Sequence, residues 1–359
     1  MRVGFLGAGL IATFHSKMLH VSGEPFQRAG VYDPDRARAE EFAQRAGRGA
    51  FVCDSEDEVI ASSDAVYVCT WTSEHPRLVE KAARAKRAVF CEKPLATTVG
   101  AARRMADIVD DHGVANQVGL ILRRSPAFTV LRELANDPAH GRVMSVVFRD
   151  DQYIPVRGAY RSTWRGDVDK AGAGTLLEHS IHDVDIIEWA FGPITTASAR
   201  SREMHGIRGI EDVVVATLEL ERGGLASLTS VWHDVDARPS LRRVEVFCER
   251  AYLVLEGDWY GPVRWMLPDG TEHVLEGDAL QERANAQLDH PNPDGAFLRA
   301  VATGRPCHPD FRVAVRAHEV TAALYESIAA GGHSVVLSPP ATPATPATPA
   351  GAGPSGSGS

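Results

Sequence analysis

The chain has 359 residues, about two domains' worth at roughly 150 residues each, and an apolar share of 44% that suits ordinary packed cores. Its net charge of −9, with Lys and Arg scattered singly or in pairs, leaves no basic stripe for a phosphate backbone and sets nucleic acid aside as a partner. Five cysteines, odd in number, widely spaced and without a Cys-x-x-Cys pair, argue against structural zinc or a disulfide framework and fit reduced core residues of a cytoplasmic protein. The opening residues read as strand and turn and not as a leader, and no stretch approaches the ~20 apolar residues of a membrane span.

Residues 1 to about 117 alternate short apolar runs with amphipathic stretches, the pattern of βαβ units building a parallel sheet. Arg2 to Leu6 is strand-like, and a helix begins within Gly9 to Ala12. Ala29 to Tyr32 is a second strand, followed by a helix from Asp35 to Arg45. Ala65 to Cys69 and Ala88 to Cys91 are further strands, separated by a helix over Pro76 to Ala85. Val99 to His112 is another helix, and Val114 to Gly119 is a strand that leaves this domain.

Beyond Gly119 the strands alternate in polarity, at Val143 to Arg149, Val213 to Leu220, Ala226 to Trp232, Arg243 to Cys248 and Ala251 to Glu256, as in an antiparallel or mixed sheet with one covered face. One continuous helix is expected over Leu176 to Phe191, with later helices at Ala296 to Thr303 and Phe311 to Ala330. The fold class is therefore an α/β Rossmann domain over 1–120 followed by an α+β domain over 121–338 with a large, mainly antiparallel or mixed open sheet. Residues 339–359, with repeated Ala-Thr-Pro and a Gly/Ser end, are expected to be disordered.

Gly7-x-Gly9-x-x-Ala12, after a strand and opening a helix, has the form of a dinucleotide-binding loop. Gly7 makes the turn, Gly9 admits the pyrophosphate, and the helix N-terminus at Leu10 and Ile11 faces the anion. Asp33, at the end of the second strand, can hydrogen-bond a ribose diol and repel a 2′-phosphate, which favours NAD. Arg36 lies near enough to accommodate a phosphate, which keeps NADP open.

Glu92-Lys93-Pro94 closes the run Ala88 to Cys91 and presents an amine at a strand end from a backbone restrained by the proline. The segment Gly172 to Asp185 gathers Glu178, His179, His182, Asp183 and Asp185 within eight positions. On one helix, Glu178, His182 and Asp185 would share a face at i, i+4 and i+7. Glu178 and His182 could supply two metal ligands, but no other cluster offers an obvious third, and no metal is expected. A His flanked by carboxylates is matched to proton transfer near neutrality.

Taken together these residues resemble the Gfo/Idh/MocA family of NAD(P)-dependent oxidoreductases over most of residues 1 to 338. The likeness rests on Gly7-Ala8-Gly9, on Thr70-Trp71-Thr72-Ser73-Glu74-His75, on Glu92-Lys93-Pro94, on Gly119 with Arg123, and on Gly174-x-Leu176-x-Glu178-x-Ser180-x-His182-x-x-Asp185. Three positions depart from the family's commoner pattern: Glu178 stands for a frequent Asp, Ser180 for a frequent Gly and Trp71 for the usual proline. The resemblance implies a dehydrogenase acting on CH–OH groups of a sugar, polyol or sugar derivative. Lys93 would meet the reacting oxygen beside the nicotinamide, His182 would be the acid/base, and Glu178 would hold substrate or orient the His. Thr70, His75 and Glu92 join the cofactor residues.

The aromatic and arginine-rich stretch before the helix, with Tyr160, Trp164 and Arg165, and the later Trp232-His233 suggest a substrate surface, to which the resemblance adds a basic residue in or beside the cleft at Arg123 or Arg165. A homo-oligomer, dimer or tetramer, is expected from the resemblance and the large second sheet. Two other readings use the same scaffold: a cofactor sensor without turnover, and an NAD-dependent glycosidase working by transient oxidation.

Overall fold

The computed structural model describes residues 1–340 apart from Arg48 and Ala159, so from residue 341 the tail expected to be disordered lies outside the described residues. The first half builds β1 (Arg2–Leu6), α1 (Leu10–Val21), β2 (Gln27–Tyr32), α2 (Arg36–Ala46), β3 (Phe51–Val52), α3 (Glu56–Ser62), β4 (Ala65–Val68), α4 (His75–Arg84), β5 (Ala88–Cys91), α5 (Val99–Asp111) and β6 (Asn116–Val118). Its strands form one parallel sheet in the order β3-β2-β1-β4-β5-β6, the doubly wound arrangement that puts a crevice at the carboxyl ends where the order reverses beside β1. β4 and β5 are buried at every position, as helices on both faces require, which is why they read as unbroken apolar runs.

The second half contains α6 (Pro126–Ala135), β7 (Val143–Tyr153), α7 (Val168–Ala171), α8 (Thr175–Glu178), α9 (Ile181–Phe191), β8 (Ile194–Arg202), β9 (Val213–Leu220), β10 (Leu225–His233), β11 (Leu241–Cys248), β12 (Ala251–Glu256), β13 (Val263–Met266), β14 (Glu272–Leu275), α10 (Gly277–Asn285), α11 (Pro293–Thr303), α12 (Phe311–Ala329) and β15 (Val335–Val336). Nine strands form a mixed open sheet, β14-β13-β12-β11-β7-β10-β9-β8-β15, in which only the β7–β10 pairing is parallel. The strict alternation of burial along β9 marks one covered face, carrying Val214, Ala216 and Leu218 against α6, α9 and α12.

The two halves share their cores. Phe297 and Leu298 of α11 pack with Val3, Tyr67 and Phe90 of the first sheet. α12 sends Phe311, Ala314 and Val315 into the first core and Val320 and Leu324 into the second. Gln117 at the end of the first sheet donates to the Pro293 carbonyl at 3.0 Å, and Val118 N–H to the Pro309 carbonyl at 2.9 Å.

The single helix expected over Leu176 to Phe191 is two helices. α8 stops at Glu178, where Ser180 N–H reaches back to the Thr175 carbonyl at 2.8 Å in an overlong turn, and α9 starts afresh after Ser180. The break is set from outside the segment. The buried Ser180 hydroxyl donates to Asp150 of β7 at 3.2 Å and lies 2.5 Å from the Ser230 hydroxyl of β10, which fixes the backbone where a helix would carry on.

Candidate active site

The cofactor loop opens with Gly7 at φ +92°, where only glycine is unstrained and where a Cβ would overlap the Cys69 carbonyl. Space around Gly9 is open, with no atom within 4 Å of where its Cβ would be. No side chain caps the N-terminus of α1, where Leu10 is 72% exposed, so its first N–H groups have no side-chain acceptor. Asp33 is buried, with Oδ2 accepting from Ala8 N–H at 2.9 Å and Oδ1 from Asp35 N–H at 3.0 Å. A tight glycine turn, a bare helix end and a carboxylate at the tip of β2 fit a dinucleotide. Arg36, by contrast, turns to Asp54 at 2.6 Å and Glu40 at 3.2 Å, and Arg38 instead approaches Asp33 at 3.7 Å.

His75 lies buried beneath this loop, its Nδ1 3.1 Å from the Pro94 carbonyl and Nε2 3.3 Å from the Thr70 carbonyl. It ties the Thr70 turn to the Glu92-Lys93-Pro94 turn, and burial pushes its ring below the ordinary histidine range. The Glu92 carboxylate points inward and is buried, 2.8 Å from Nε2 of His15, instead of into the crevice.

Lys93 leaves β5 in the opposite sense and crosses to the second half. Its Nζ donates to the Glu178 carbonyl at 2.6 Å and lies 3.9 Å from Glu178 Oε1. That same Oε1 accepts from Arg165 Nε at 2.6 Å, while Arg165 also holds Ser162 and stacks on Trp164 at 4.7 Å. Burial pushes Glu178 up, but the charges of Arg165 and Lys93 outweigh it and hold the acid below its ordinary range, as a carboxylate. Burial, then the positive charges of Lys93 and Arg242, drive His182 well below the ordinary histidine range, so its imidazole is neutral. Its buried Nδ1 has no hydrogen-bond partner among the described residues.

The expected row of Glu178, His182 and Asp185 on one helical face does not form, because Glu178 ends α8 and the other two lie on α9. Asp185 instead receives a forked contact from Arg123, at 2.9 Å from Nε and 2.7 Å from Nη2, and Arg123 also meets His308 at 3.2 Å. Of the remaining candidates, Tyr160 is 40% exposed, and His233 accepts from Val235 N–H at 3.2 Å and packs edge-on to Tyr153. Trp71 carries the Lys170 ammonium of α7 on its ring at 4.8 Å, a contact between the two halves.

Several supporting residues escaped the sequence reading. Behind α8 and α9, buried Arg242 of β11 binds Asp183 at 2.5 Å, Asp258 at 2.8 Å and Asp150 at 3.3 Å, and donates to Nε2 of His179 at 3.0 Å. Burial and the charges of Arg242 and Lys93 hold His179 down to about 3. Glu211 anchors the start of α8 by accepting from Gly174 and Leu176 N–H, at 2.9 and 3.0 Å, and from the Tyr325 hydroxyl at 2.8 Å. His179 and Asp183 are counted within the motif but given no role there. Arg242 and Glu211 carry no local signal.

Two family patterns match the sequence: an oxidoreductase family, NAD-binding Rossmann fold, over residues 1–120, and the GFO/IDH/MocA C-terminal domain over residues 128–254. An inositol 2-dehydrogenase of Rhizobium meliloti is 31% identical over 242 residues, covering 64% of this chain and 68% of that protein. An inositol 2-dehydrogenase of Cereibacter sphaeroides is 28% identical over 229 residues, and the chain spans only 64% of its length. Among solved structures, levoglucosan dehydrogenase in complex with NADH and levoglucosan superposes with a TM-score of 0.81 at 19% identity, covering 95% of this chain and 100% of that one. At that identity the likeness speaks to the fold.

Proposed function

The chain belongs to the Gfo/Idh/MocA oxidoreductase family, and from that premise we propose that it transfers hydride between NAD and a secondary alcohol or carbonyl of a sugar, polyol or sugar derivative. The observation that carries this reading is Lys93 Nζ on the Glu178 carbonyl at 2.6 Å, next to a neutral buried His182, beyond the carboxyl ends of the parallel strands. The inositol 2-dehydrogenases that the sequence resembles support the substrate class.

Residues 1–120 hold the cofactor, with Gly7, Gly9 and the first N–H groups of α1 at the pyrophosphate and Asp33 at the adenosine ribose. Residues 121–338 hold the substrate. The bound nicotinamide supplies the hydride acceptor at its C4. Neutral His182 takes the carbinol proton, and the Lys93 ammonium, leaving the Glu178 carbonyl or sharing a proton with it, donates to the oxygen as alkoxide character grows. Glu178, ionised and held by Arg165, fixes Lys93 from below and offers its second oxygen to a neighbouring hydroxyl. Arg165 and Trp164 form a wall for the sugar, with Tyr160 and His233 at the rim, while Arg123 is occupied with Asp185. Incubating the protein with NAD and a panel of inositols, aldoses, anhydrosugars and sugar acids tests the reading: absorbance of reduced nicotinamide should rise with at least one of them, and a flat response across the panel would contradict it.

A homo-oligomer in the cytoplasm completes the proposal. The five thiols are buried and unpaired, which suits a reducing compartment. On the uncovered face of the nine-stranded sheet Leu225, Phe247, Val147 and Val215 are each at least 40% exposed, and the registers set them on adjoining strands of one face. Light scattering at micromolar concentration should return a multiple of the chain mass, and a monomer mass would refute this part.

A further inference from the structure

His15, on the inner face of α1, is wholly buried with an acidic oxygen at each ring nitrogen: Glu92 Oε1 2.8 Å from Nε2 and Asp294 Oδ1 2.8 Å from Nδ1. With both acids ionised each can only accept, so both nitrogens donate, and only the imidazolium has two N–H groups. Aromatic side chains line the rest of the ring. Phe90 of β5 and Tyr67 of β4 lie against the ring at 4.8 and 5.6 Å and Phe14 meets it edge-on, while the titratable groups around the two acids are the Tyr67 hydroxyl and the Cys69 thiol on the Asp294 side and Cys69, Cys91, His75 and Lys93 on the Glu92 side. The two anions come from distant parts of the chain, one from the end of β5 and the other from the first turn of α11.

Glu92 directly precedes Lys93, and its Oε2 already accepts the Lys93 N–H at 3.1 Å. An unengaged carboxylate at that position is the obvious rival for the Lys93 ammonium, which the structure instead directs to Glu178. Space also confines Glu92, since a Cβ on Gly119 would overlap its carboxylate.

We propose that His15 is a permanently charged positioning residue: by binding Glu92 on one side and Asp294 on the other, it keeps the Glu92 carboxylate off the neighbouring lysine and leaves the Lys93 ammonium to the cleft. The proposal rests on the reading of Lys93 as the group that meets the reacting oxygen. The electrostatic balance agrees. Burial pushes His15 down, but the charge and hydrogen bond of Asp294, with those of Glu92, outweigh it and raise the ring to about 10, while Glu92, pushed up by burial, is brought below its ordinary range by His15.

Two measurements on the full chain test it. With 15N-labelled histidine, the His15 signals, identified by their loss in His15→Gln, should show both ring nitrogens protonated from pH 6 to about 9, well past the ordinary imidazole range near 6.5. A neutral ring at pH 8 overturns the proposal whatever the variants do. In turnover, His15→Gln should lower kcat about ten-fold or more while NADH affinity, read by fluorescence, moves less than about three-fold, the split expected when a group acting on the transition state is misplaced. Adding Glu92→Gln, which neutralises the rival, should recover most of the lost kcat. An unchanged kcat in His15→Gln, or no recovery in a double variant that melts like the parent, also overturns it. If the parent forms no NADH with any sugar or polyol, the reading of Lys93 fails, and the nitrogen signals still decide whether His15 carries its charge.

Discussion

Lys93 donates to a backbone carbonyl rather than locking into a tight ion pair, and an ammonium so placed can give up that bond for a substrate oxygen at little cost. Asp33 is committed in the same graded way, to two backbone N–H groups, and still presents a carboxylate at the tip of β2. Asp33→Ala should therefore narrow the preference for NAD over NADP by roughly ten-fold, through one lost charged hydrogen bond and relieved repulsion of a 2′-phosphate. Titration of both cofactors checks this, and an unmodified protein that already prefers NADP would contradict it. Lys93, Asp33, Glu178 and His182 could be named as candidates from the sequence because each stands at a fixed offset from a strand end or within one dense segment. His15 was not, because its meaning depends on Asp294, 279 positions away, and nothing in the local pattern of α1 distinguishes a buried imidazolium from an ordinary core histidine. Asp185 was misread for the same reason, its partner being Arg123 and not its helical neighbours.

At the level of elements, the segment from Gly174 to Asp185 is shaped by its neighbours more than by its own propensities. α8 begins where Gly174 passes against the Glu211 backbone so closely that a Cβ would overlap it, and the Glu211 carboxylate accepts the first N–H groups of the turn. Gly174→Ala should cost about 1–3 kcal/mol through overpacking, with a larger loss of turnover than of cofactor binding because Glu178 lies one turn on. Denaturant midpoints check the first part, and an unchanged midpoint would contradict it. β9, β10 and β11 were legible from strict alternation, and the parallel strands from their apolar runs. The two-residue β3 and the short α3 carried too little periodicity, α6 is buried nearly all round and so shows no broad polar face, and the break between α8 and α9 is written in Asp150 and Ser230, on strands far from the segment.

For the whole molecule, three buried histidines, His15, His179 and His318 of α12, titrate in opposite directions and set a pH window. An unfolded histidine titrates near 6.5. His15, raised to about 10, contributes stability that is complete below ~6.5 and drains as pH climbs through 10. His179, held at about 3, and His318, at about 4, are buried neutral, so their contribution is present above ~6.5 and is lost as pH falls towards those values. The melting temperature should peak between about pH 6 and 7.5, and His15→Gln should flatten the alkaline side. A melting temperature still rising from pH 7 to 9 would contradict that balance. The central claim joins the two halves at one substrate carbon, with Lys93 from the cofactor domain and His182 from the substrate domain. Its most direct test is turnover of Lys93→Ala and His182→Ala with NAD and the sugar or polyol that the unmodified protein oxidises, with NADH affinity measured alongside. The account predicts that each substitution lowers kcat by about 10² to 10⁴, the range for positioned acid/base and charge-stabilising groups, that NADH affinity changes far less for His182 than for Lys93, and that the double variant loses less than the product of the two. Near-normal turnover of His182→Ala across the pH range, in a protein that still binds NADH, would contradict it.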